Sequence, residues 1–314
     1  MALELALEKW SGKVSTVIIG ATKNEGGSRA HTLKIGGEKT LPFLFQEGEM
    51  PNKPEIAFEI LDIAPNDWPE SLLKPFADVI NNPLDWAEKC VKEYKARAIC
   101  LRLVGAHPDF GDKTPEVEAK LVKDILKKID VPLIILGCGD SAKDNLVLPA
   151  CSEAASGERC LIGSAVQDNY KTITAAVAAD GHSIVAESPI DINIAKQLNI
   201  LISDMSLSLE RIVIDPTIGA LGYGLEYAYS IMERARLAGL SGDKTVAVPF
   251  ICFVGNEAWR TKEAKVEDNS EQGIVWEVIT ATALIQAGAD LLVMRHPKAI
   301  EKVNNYIDKL MKGL

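Results

Sequence analysis

Short apolar runs recur along the chain, spaced so that a helix fits between each pair. They read IAFEILD (56–62), AICLRLVG (98–105), PLIILGCG (132–139), CLIGSAV (160–166), SIVAESP (183–189), IVIDPTIG (212–219), VAVPFICF (246–253) and LLVMRHP (291–297), and most end in Gly, Pro, Asp or His. Runs apolar on both faces predict buried parallel strands. Between them the period lengthens to roughly 3.6 residues. Val117, Leu121, Val122, Ile125, Leu126 and Ile129 form one stripe; Ile300, Val303, Ile307, Leu310 and Met311 form another. Ser141 with Asp144, and Asp191 just after Pro189, are helix-start signals. Eight strand-then-helix units across about 250 residues predict an α/β fold of the (β/α)8 TIM-barrel type rather than an open doubly wound sheet. No G-x-G-x-x-G follows the first strand to favour the latter.

Two regions lie outside the repeat. Residues 14–45 (VSTVIIG, HTLKIGG, TLPFLF) read as extended strands joined at Gly26-Gly27 and Gly36-Gly37, which predicts an N-terminal β-hairpin closing one end of the barrel. Residues 254–268 form a long polar connection after the seventh strand, either a lid or docking surface or a solvated insertion. The expected organisation is one domain over 1–314, with the hairpin extension at 14–45 and the barrel at 56–314.

Composition narrows the partners. The chain has 314 residues, 47% apolar and 25% charged, with a formal net charge of -10 and no tract of Lys or Arg. That argues against nucleic acid or an anionic membrane surface as a partner. No run of 18 apolar residues occurs, and the start MALELALEKWSGK has no signal-peptide core, so a cytoplasmic protein is expected. Cys90, Cys100, Cys138, Cys151, Cys160 and Cys252 form no C-x-x-C pair and are expected as reduced, mostly buried thiols.

In a (β/α)8 barrel, ligands meet the loops that follow the strand ends. Those ends carry Asp62, then Arg102 and His107, then Cys138, Gly139 and Asp140, then Gln167, Asp168 and Asn169, then Glu187 and Ser188. Asp215 follows with Gly219, Gly222, Tyr223 and Gly224, then Asn256 and Trp259, then Arg295 and His296. The sharpest signal is IVIDPTIGALGYGLE (212–226): a carboxylate at a strand end beside a glycine-rich turn marks a ligand mouth, or else a turn whose glycines serve packing. His31 falls in the hairpin and His182 precedes the fifth strand, both off the mouth, whereas His107 and His296 either reach it or hydrogen-bond within their loops. No H-E-x-x-H, G-x-S-x-G or P-loop is present. Carboxylates, amides and small residues without an activated nucleophile suit a surface for a large polar ligand, or an enzyme that only protonates or orients its substrate.

Several long segments then point to a family. GATKNEGGSRAHTLKIGGE (20–38), LGCGDSAKDN (136–145), SPIDINIAKQLNILI (188–202), IVIDPTIGALGYGLEYAYSIMER (212–234) and LLVMRHP (291–297) resemble the small subunit of the corrinoid iron–sulfur protein of the reductive acetyl-CoA pathway, also called the delta subunit of the acetyl-CoA decarbonylase/synthase complex. The resemblance runs over nearly the whole chain. It implies a barrel paired with a larger subunit that carries the iron–sulfur cluster, with a cobalamin (corrinoid) held between the two. It further implies methyl transfer from a methyltetrahydrofolate or methyltetrahydropterin methyltransferase to acetyl-CoA synthase. On that reading the corrinoid lies against Asp62, Arg102, His107, Cys138, Gly139, Gln167, Asn169, Ser188, Asp215, Gly219, Gly222, Tyr223, Arg295 and His296, with no catalytic residue and no metal ligand from this chain.

The missing C-x-x-C agrees with a cluster held elsewhere. So does the missing D-x-H-x-x-G lower-ligand motif, since Asp180-Gly181-His182 begins like it but has Val185 where glycine is needed. The rival expectation is an autonomous pterin-dependent methyltransferase, because D-P-x-x-G at 215–219 resembles a pterin-site turn with Asp215 on the ring.

Overall fold

The computed structural model describes residues 6–266 and 270–313. Each of the eight apolar runs contains a strand: β3 (Glu55–Leu61), β4 (Ile99–Arg102), β5 (Leu133–Leu136), β6 (Leu161–Ala165), β7 (Ser183–Glu187), β8 (Ile212–Asp215), β9 (Ile251–Cys252) and β10 (Leu291–Met294). They form one parallel sheet in the order β8-β7-β6-β5-β4-β3-β10-β9. A parallel bridge between Ile214 and Phe250 joins the two ends, with Ile214 N donating to the Pro249 carbonyl at 2.9 Å. The result is a (β/α)8 barrel. VAVPFICF yields only the two-residue β9 because Pro249 has no N–H to give to a ladder, although its carbonyl still accepts.

The helices of the outer layer are α1 (Glu70–Leu73), α2 (Pro83–Lys92), α3 (Pro115–Lys128), α4 (Ser141–Ala154), α5 (Tyr170–Asp180), α6 (Ile192–Asp204), α7 (Leu225–Leu240), α8 (Val254–Ala258), α9 (Ser270–Ala287) and α10 (Pro297–Leu310). In α3 the stripe buries Val122, Ile125 and Leu126, while Val117 in its first turn stays exposed. Asp191 caps α6 by accepting from Asn193 N at 2.7 Å. The cap of α4 is Asp140, which accepts from Lys143 N at 2.8 Å, and Ser141 is already the first helical residue.

Two cores follow from the strand period of two. Outward residues such as Phe58, Ile60, Leu101, Ile135, Ile162, Ile214 and Met294 pack under the helices. Inward residues, among them Ala57, Cys100, Ile134, Leu161, Val185, Val213 and Val293, fill the barrel. The same inner cluster takes in Val17, Ile19, Leu33 and Ile35 from the antiparallel pair β1 (Thr16–Ile19) and β2 (Leu33–Gly36). This hairpin covers the end where the strands begin: Gly20 N donates to the Arg159 carbonyl, Ala30 N to that of Asp130, and a His31 ring nitrogen bonds the Arg97 carbonyl.

A buried ionic cluster holds β2 to the same end. Arg236 reaches Asp290 at 2.8 Å and Glu38 at 3.2 Å. TLPFLF (40–45) is a run of turns rather than a third strand, with Phe43 in the left-handed region at φ 61°.

The connection after β9 is not a solvated loop. It folds into α8 and a 3-10 turn (Glu263–Lys265), and buries Trp259, Thr261 and Ala264. Residues 267 and 268 of the expected 254–268 segment lie outside the described residues.

Candidate functional site at the barrel mouth

The inward parity that puts Ala57, Cys100, Val185, Val213, Ile251 and Val293 in the barrel puts the next inward position of each strand at the mouth. Those positions are Glu59, Arg102, Glu187, Asp215, Phe253 and Arg295. The top layer of an otherwise apolar interior is therefore charged.

Glu59 is the centre of this floor. It is fully buried and accepts from Arg102 Nε at 2.7 Å and from Arg295 Nε. Burial by itself pushes the Glu59 carboxyl up, but the charges of Arg295 and Arg102 together with their hydrogen bonds outweigh it and hold the group below its ordinary value. Arg295 also donates through Nη2 to Asn256 Oδ1 at 3.0 Å and lies 4.7 Å over the Trp68 ring. Arg102 lies 5.0 Å over Phe253.

Behind the floor, Glu277 of α9 accepts from Arg295 N at 2.6 Å, His296 N at 3.2 Å and Trp259 Nε1 at 2.8 Å. Burial raises its pKa to about 7 even against these bonds. One carboxyl thus fixes the end of β10 and the start of the β9 connection.

Above the floor is a cavity of about 140 Å³ lined by Arg102, Ser164, Glu187, Asp215, Thr217, Ile218, Phe253, Asn256 and Glu257. Asp215 is 4% exposed. Burial, then the charge of Glu187, pushes its carboxyl up to about 8, against the pull of Thr217 N, which donates to Oδ1 at 2.8 Å, and of Arg102. Burial and the Glu187 charge thus favour the protonated form of Asp215. Arg102 Nη2 is buried with no hydrogen-bond partner among the described residues, and so is Ser188 Oγ.

Two strained backbone positions lie beside this cavity. Thr217 and Ile190 hold φ values of 57° and 43°, in a region that β-branched residues avoid. They are cross-linked: Ile190 N donates to the Pro216 carbonyl, and Thr217 Oγ1 to that of Ser188 at 3.2 Å. Ile190 is 43% exposed, and Ile194, Tyr227, Phe110 (58%) and Tyr223 (49%) are likewise exposed on the segments that follow β4, β7 and β8, at the strand-end rim.

The structure brings Arg102, Asp215 and Arg295 together at the floor; Ser188 meets Asp215 only through its backbone N–H, its side chain being fully buried and outside the cavity lining. It separates the remaining candidates. Asp62 is occupied below its loop, accepting from Gly105 N at 2.9 Å and from Lys113 Nζ at 2.8 Å. Cys138 and Gly139 wrap the Asp144 carboxylate, their N–H groups donating at 2.8 and 3.1 Å, and burial pushes the Cys138 thiol up to about 12. Asn169 closes its own turn, accepting from Val166 N at 2.8 Å and donating to the Ser164 carbonyl at 3.2 Å, while Gln167 is exposed.

His107 accepts from Asp109 N at 3.1 Å. His296 caps α10, accepting from Lys298 N at 3.1 Å, stacks on Trp259, and has its pKa pushed down to about 4, chiefly by burial. It lines a cleft with Ser71 and Pro297 on the helix side of β10, away from the floor. His182 is buried and bonded to Cys160 N and the Ser152 carbonyl.

In the Asp215 turn, a Cβ on Gly219 meets the Tyr223 carbonyl oxygen at 2.3 Å, so this glycine serves the turn itself. Gly222 faces open space but needs φ 78°. Tyr223 donates to Glu263 Oε2 at 2.9 Å, tying the turn to the β9 connection. Sequence reading missed Glu59, Glu257 and Glu277. A glutamate inside IAFEILD, on the inward parity, was the available signal for Glu59.

The fold is shared with dihydropteroate synthases of known structure. The fold matches the *Xanthomonas albilineans* enzyme solved with 4-aminobenzoic acid at a TM-score of 0.56 and 15% identity, over 84% of this chain and 95% of that one. It matches the *Thermus thermophilus* enzyme at a TM-score of 0.56 and 14% identity, over 84% and 96%. Sequence goes further than fold. The family model of the CO dehydrogenase/acetyl-CoA synthase delta subunit matches residues 16–306, and the chain belongs to that family.

The delta subunit of the acetyl-CoA decarbonylase/synthase complex of *Methanocaldococcus jannaschii* is 37% identical over 310 residues, 95% of this chain and 74% of that protein. Its counterpart from *Archaeoglobus fulgidus* is 36% identical over 317 residues, 96% and 70%.

Proposed function

We propose that this chain is the small subunit of a corrinoid iron–sulfur protein in an acetyl-CoA decarbonylase/synthase system, and that its barrel mouth forms one side of a cobamide site shared with a larger iron–sulfur subunit. Acting together, the two subunits carry a methyl group from a methyltetrahydrofolate or methyltetrahydropterin methyltransferase to acetyl-CoA synthase. The observation that carries the reading is the shape of the mouth: a shallow polar floor inside an exposed apolar rim. A cavity of about 140 Å³ accepts one arm of a ligand and not a macrocycle, so a large planar ligand lies across the rim with its other face turned outward.

The residues fit such a group. Arg102 Nη2 lines the cavity, buried and unpartnered among the described residues, and a corrin's amide fringe offers it an acceptor. Ile190, Ile194, Tyr223 and Tyr227 supply apolar contact for its ring or for the partner. When bound, the corrinoid supplies a cobalt that accepts and releases the methyl group. The chain's own part is to hold and orient that group and keep water from one side of it.

The six thiols are spread along the chain, on α2, β4, α4 and β9 and in the loops at 138 and 160, five of them buried, which supports placing the cluster on the larger subunit.

Asp215 keeps a second reading in view. It lines the cavity beside a D-P-x-x-G turn, as an autonomous pterin-dependent methyltransferase requires. Co-purification separates the two. Together with its larger partner the chain is expected to bind corrinoid near stoichiometrically, seen by visible absorption, and alone only weakly. Tight corrinoid binding by the isolated chain overturns the shared site. A colourless complex that retains a pterin selects the second reading.

A further inference from the structure

The floor cavity has donors and acceptors arranged for a particular functional group. Arg102 spends only Nε on Glu59, and its buried Nη2 has no partner among the described residues, so a ligand atom that meets it is an acceptor. The same cavity is lined by Glu187, whose side chain accepts no hydrogen bond among the described residues, and by Glu257, whose carboxylate accepts there from Asn256 and Arg260 alone. Ligand atoms that meet these carboxylates are donors.

A carboxylate ligand satisfies Arg102 but sets a negative charge against Glu187 and Glu257. An ammonium satisfies the two glutamates and leaves Arg102 Nη2 orphaned in a buried place. We propose that this cavity is a selective pocket for a neutral primary carboxamide, its carbonyl on Arg102 and its NH2 group on Glu187 and Glu257. Asp215 agrees with this polarity. Held at about 8, its carboxyl is a neutral donor at pH 7 and adds a second hydrogen bond to a carbonyl rather than a repelling charge. The volume of about 140 Å³ suits one such arm.

The inference rests on the corrinoid reading above and sharpens it. A corrin ring is fringed by acetamide and propionamide arms, and their incompletely amidated forms carry carboxylates instead. The pocket would then select a fully amidated corrinoid at the position whose arm enters it.

The test uses the complete chain in complex with its larger subunit, loaded with cobinamide or with a panel of cobinamides each bearing one carboxylate in place of one amide. Affinities are measured by visible titration at pH 7. At least one acid form is expected to bind roughly tenfold or more weakly than the amide, the scale of an unpaired charge in a buried site. Glu187→Gln, which can donate to a carboxylate, and Glu257→Gln are expected to shrink that ratio several-fold.

Equal binding of every acid form and the amide overturns the pocket assignment while leaving the corrinoid site standing. So does a ratio unmoved by both variants, because the larger subunit is then the discriminating partner. A complex that binds no corrinoid of any kind removes the cofactor reading and this inference with it.

Discussion

Asp215→Asn isolates the most unusual group in the mouth. Asn keeps the oxygen that accepts from Thr217 N at 2.8 Å and cannot ionise. In the wild type the carboxyl titrates at about 8 when folded against 3.8 as its ordinary value. Below the lower value both states hold the proton. Between the two values the folded state keeps a proton that the unfolded state has released, so raising the pH favours unfolding by up to about 1.4 kcal/mol per unit. Above the folded value both states are ionised and the trend stops. From pH 6 to pH 8, where the folded group is half titrated, the wild type is expected to lose about 2 kcal/mol relative to Asp215→Asn.

Urea unfolding of both proteins at pH 6, 7 and 8 measures this difference directly. Glu38 and Glu118, each raised to about 8, and Glu277, raised to about 7, titrate in both proteins and cancel in the comparison. Parallel stability profiles refute the argument, because Asp215 is then already ionised at pH 6 and Glu187 does not hold its proton on.

Other parts of the site give sharper local tests. Gly219→Ala is expected to cost about 1–3 kcal/mol because its Cβ meets a carbonyl oxygen at 2.3 Å, whereas Gly222→Ala should cost only about 1 kcal/mol for a residue held at φ 78° in open space; thermal unfolding ranks the two, and the reverse order contradicts the turn described here. Glu277→Ala leaves the N–H groups of Arg295 and His296 and Trp259 Nε1 buried without their acceptor, and a loss of about 3–5 kcal/mol is expected in denaturant unfolding; a loss under about 1 kcal/mol means the mouth is not fixed from behind. Native protein treated with iodoacetamide at pH 8 should react only at half-buried Cys138, and slowly, since burial raises every thiol; mass spectrometry showing rapid modification of Cys90 or Cys252 contradicts this.

The barrel was legible in the sequence because the strand signal survives in short segments: eight apolar runs, most of them closed by a breaker, can bury both faces in few other ways. What periodicity did not carry was the fate of side chains after each strand ends. Asp62, Cys138, Gly139 and Asn169 stand at strand ends as Arg102 and Asp215 do, but their groups face their own loops. Asp62 is taken by Gly105 N and Lys113, and the 138–139 N–H groups by Asp144. A loop polar residue has local donors within a few positions, and no pattern in one sequence says whether it uses them. His296 is the clearest case, where one residue beyond Arg295 the parity turns the ring away from the floor to cap α10. Parity counted from the apolar inner residues was the better guide, and it singles out Glu59, Arg102, Glu187, Asp215 and Arg295 without reference to the loops.

On the shared-site proposal, the two ends of the barrel account for why the mouth would take a ligand held jointly with a partner. At the strand-start end, Val17, Ile19, Leu33 and Ile35 continue the inner core, and Arg236 holds Glu38 and Asp290 in a buried cluster, so that end is filled. At the strand-end face, the Glu59 pair with two arginines fills the axis up to the last inward layer. The space left over is about 140 Å³, and most of its walls are polar. Apolar burial, the main source of affinity for a large ring, is therefore confined to the rim, where Phe110, Ile190, Tyr223 and Tyr227 present their side chains to solvent. A ring lying there buries one face at most and leaves the other wet, which halves the area removed from water. On that proposal, a second subunit closing over the outer face would add the missing half. The same closure would cover the exposed rim, so ligand binding and subunit association strengthen each other and should be lost together in rim variants such as Tyr227→Ser.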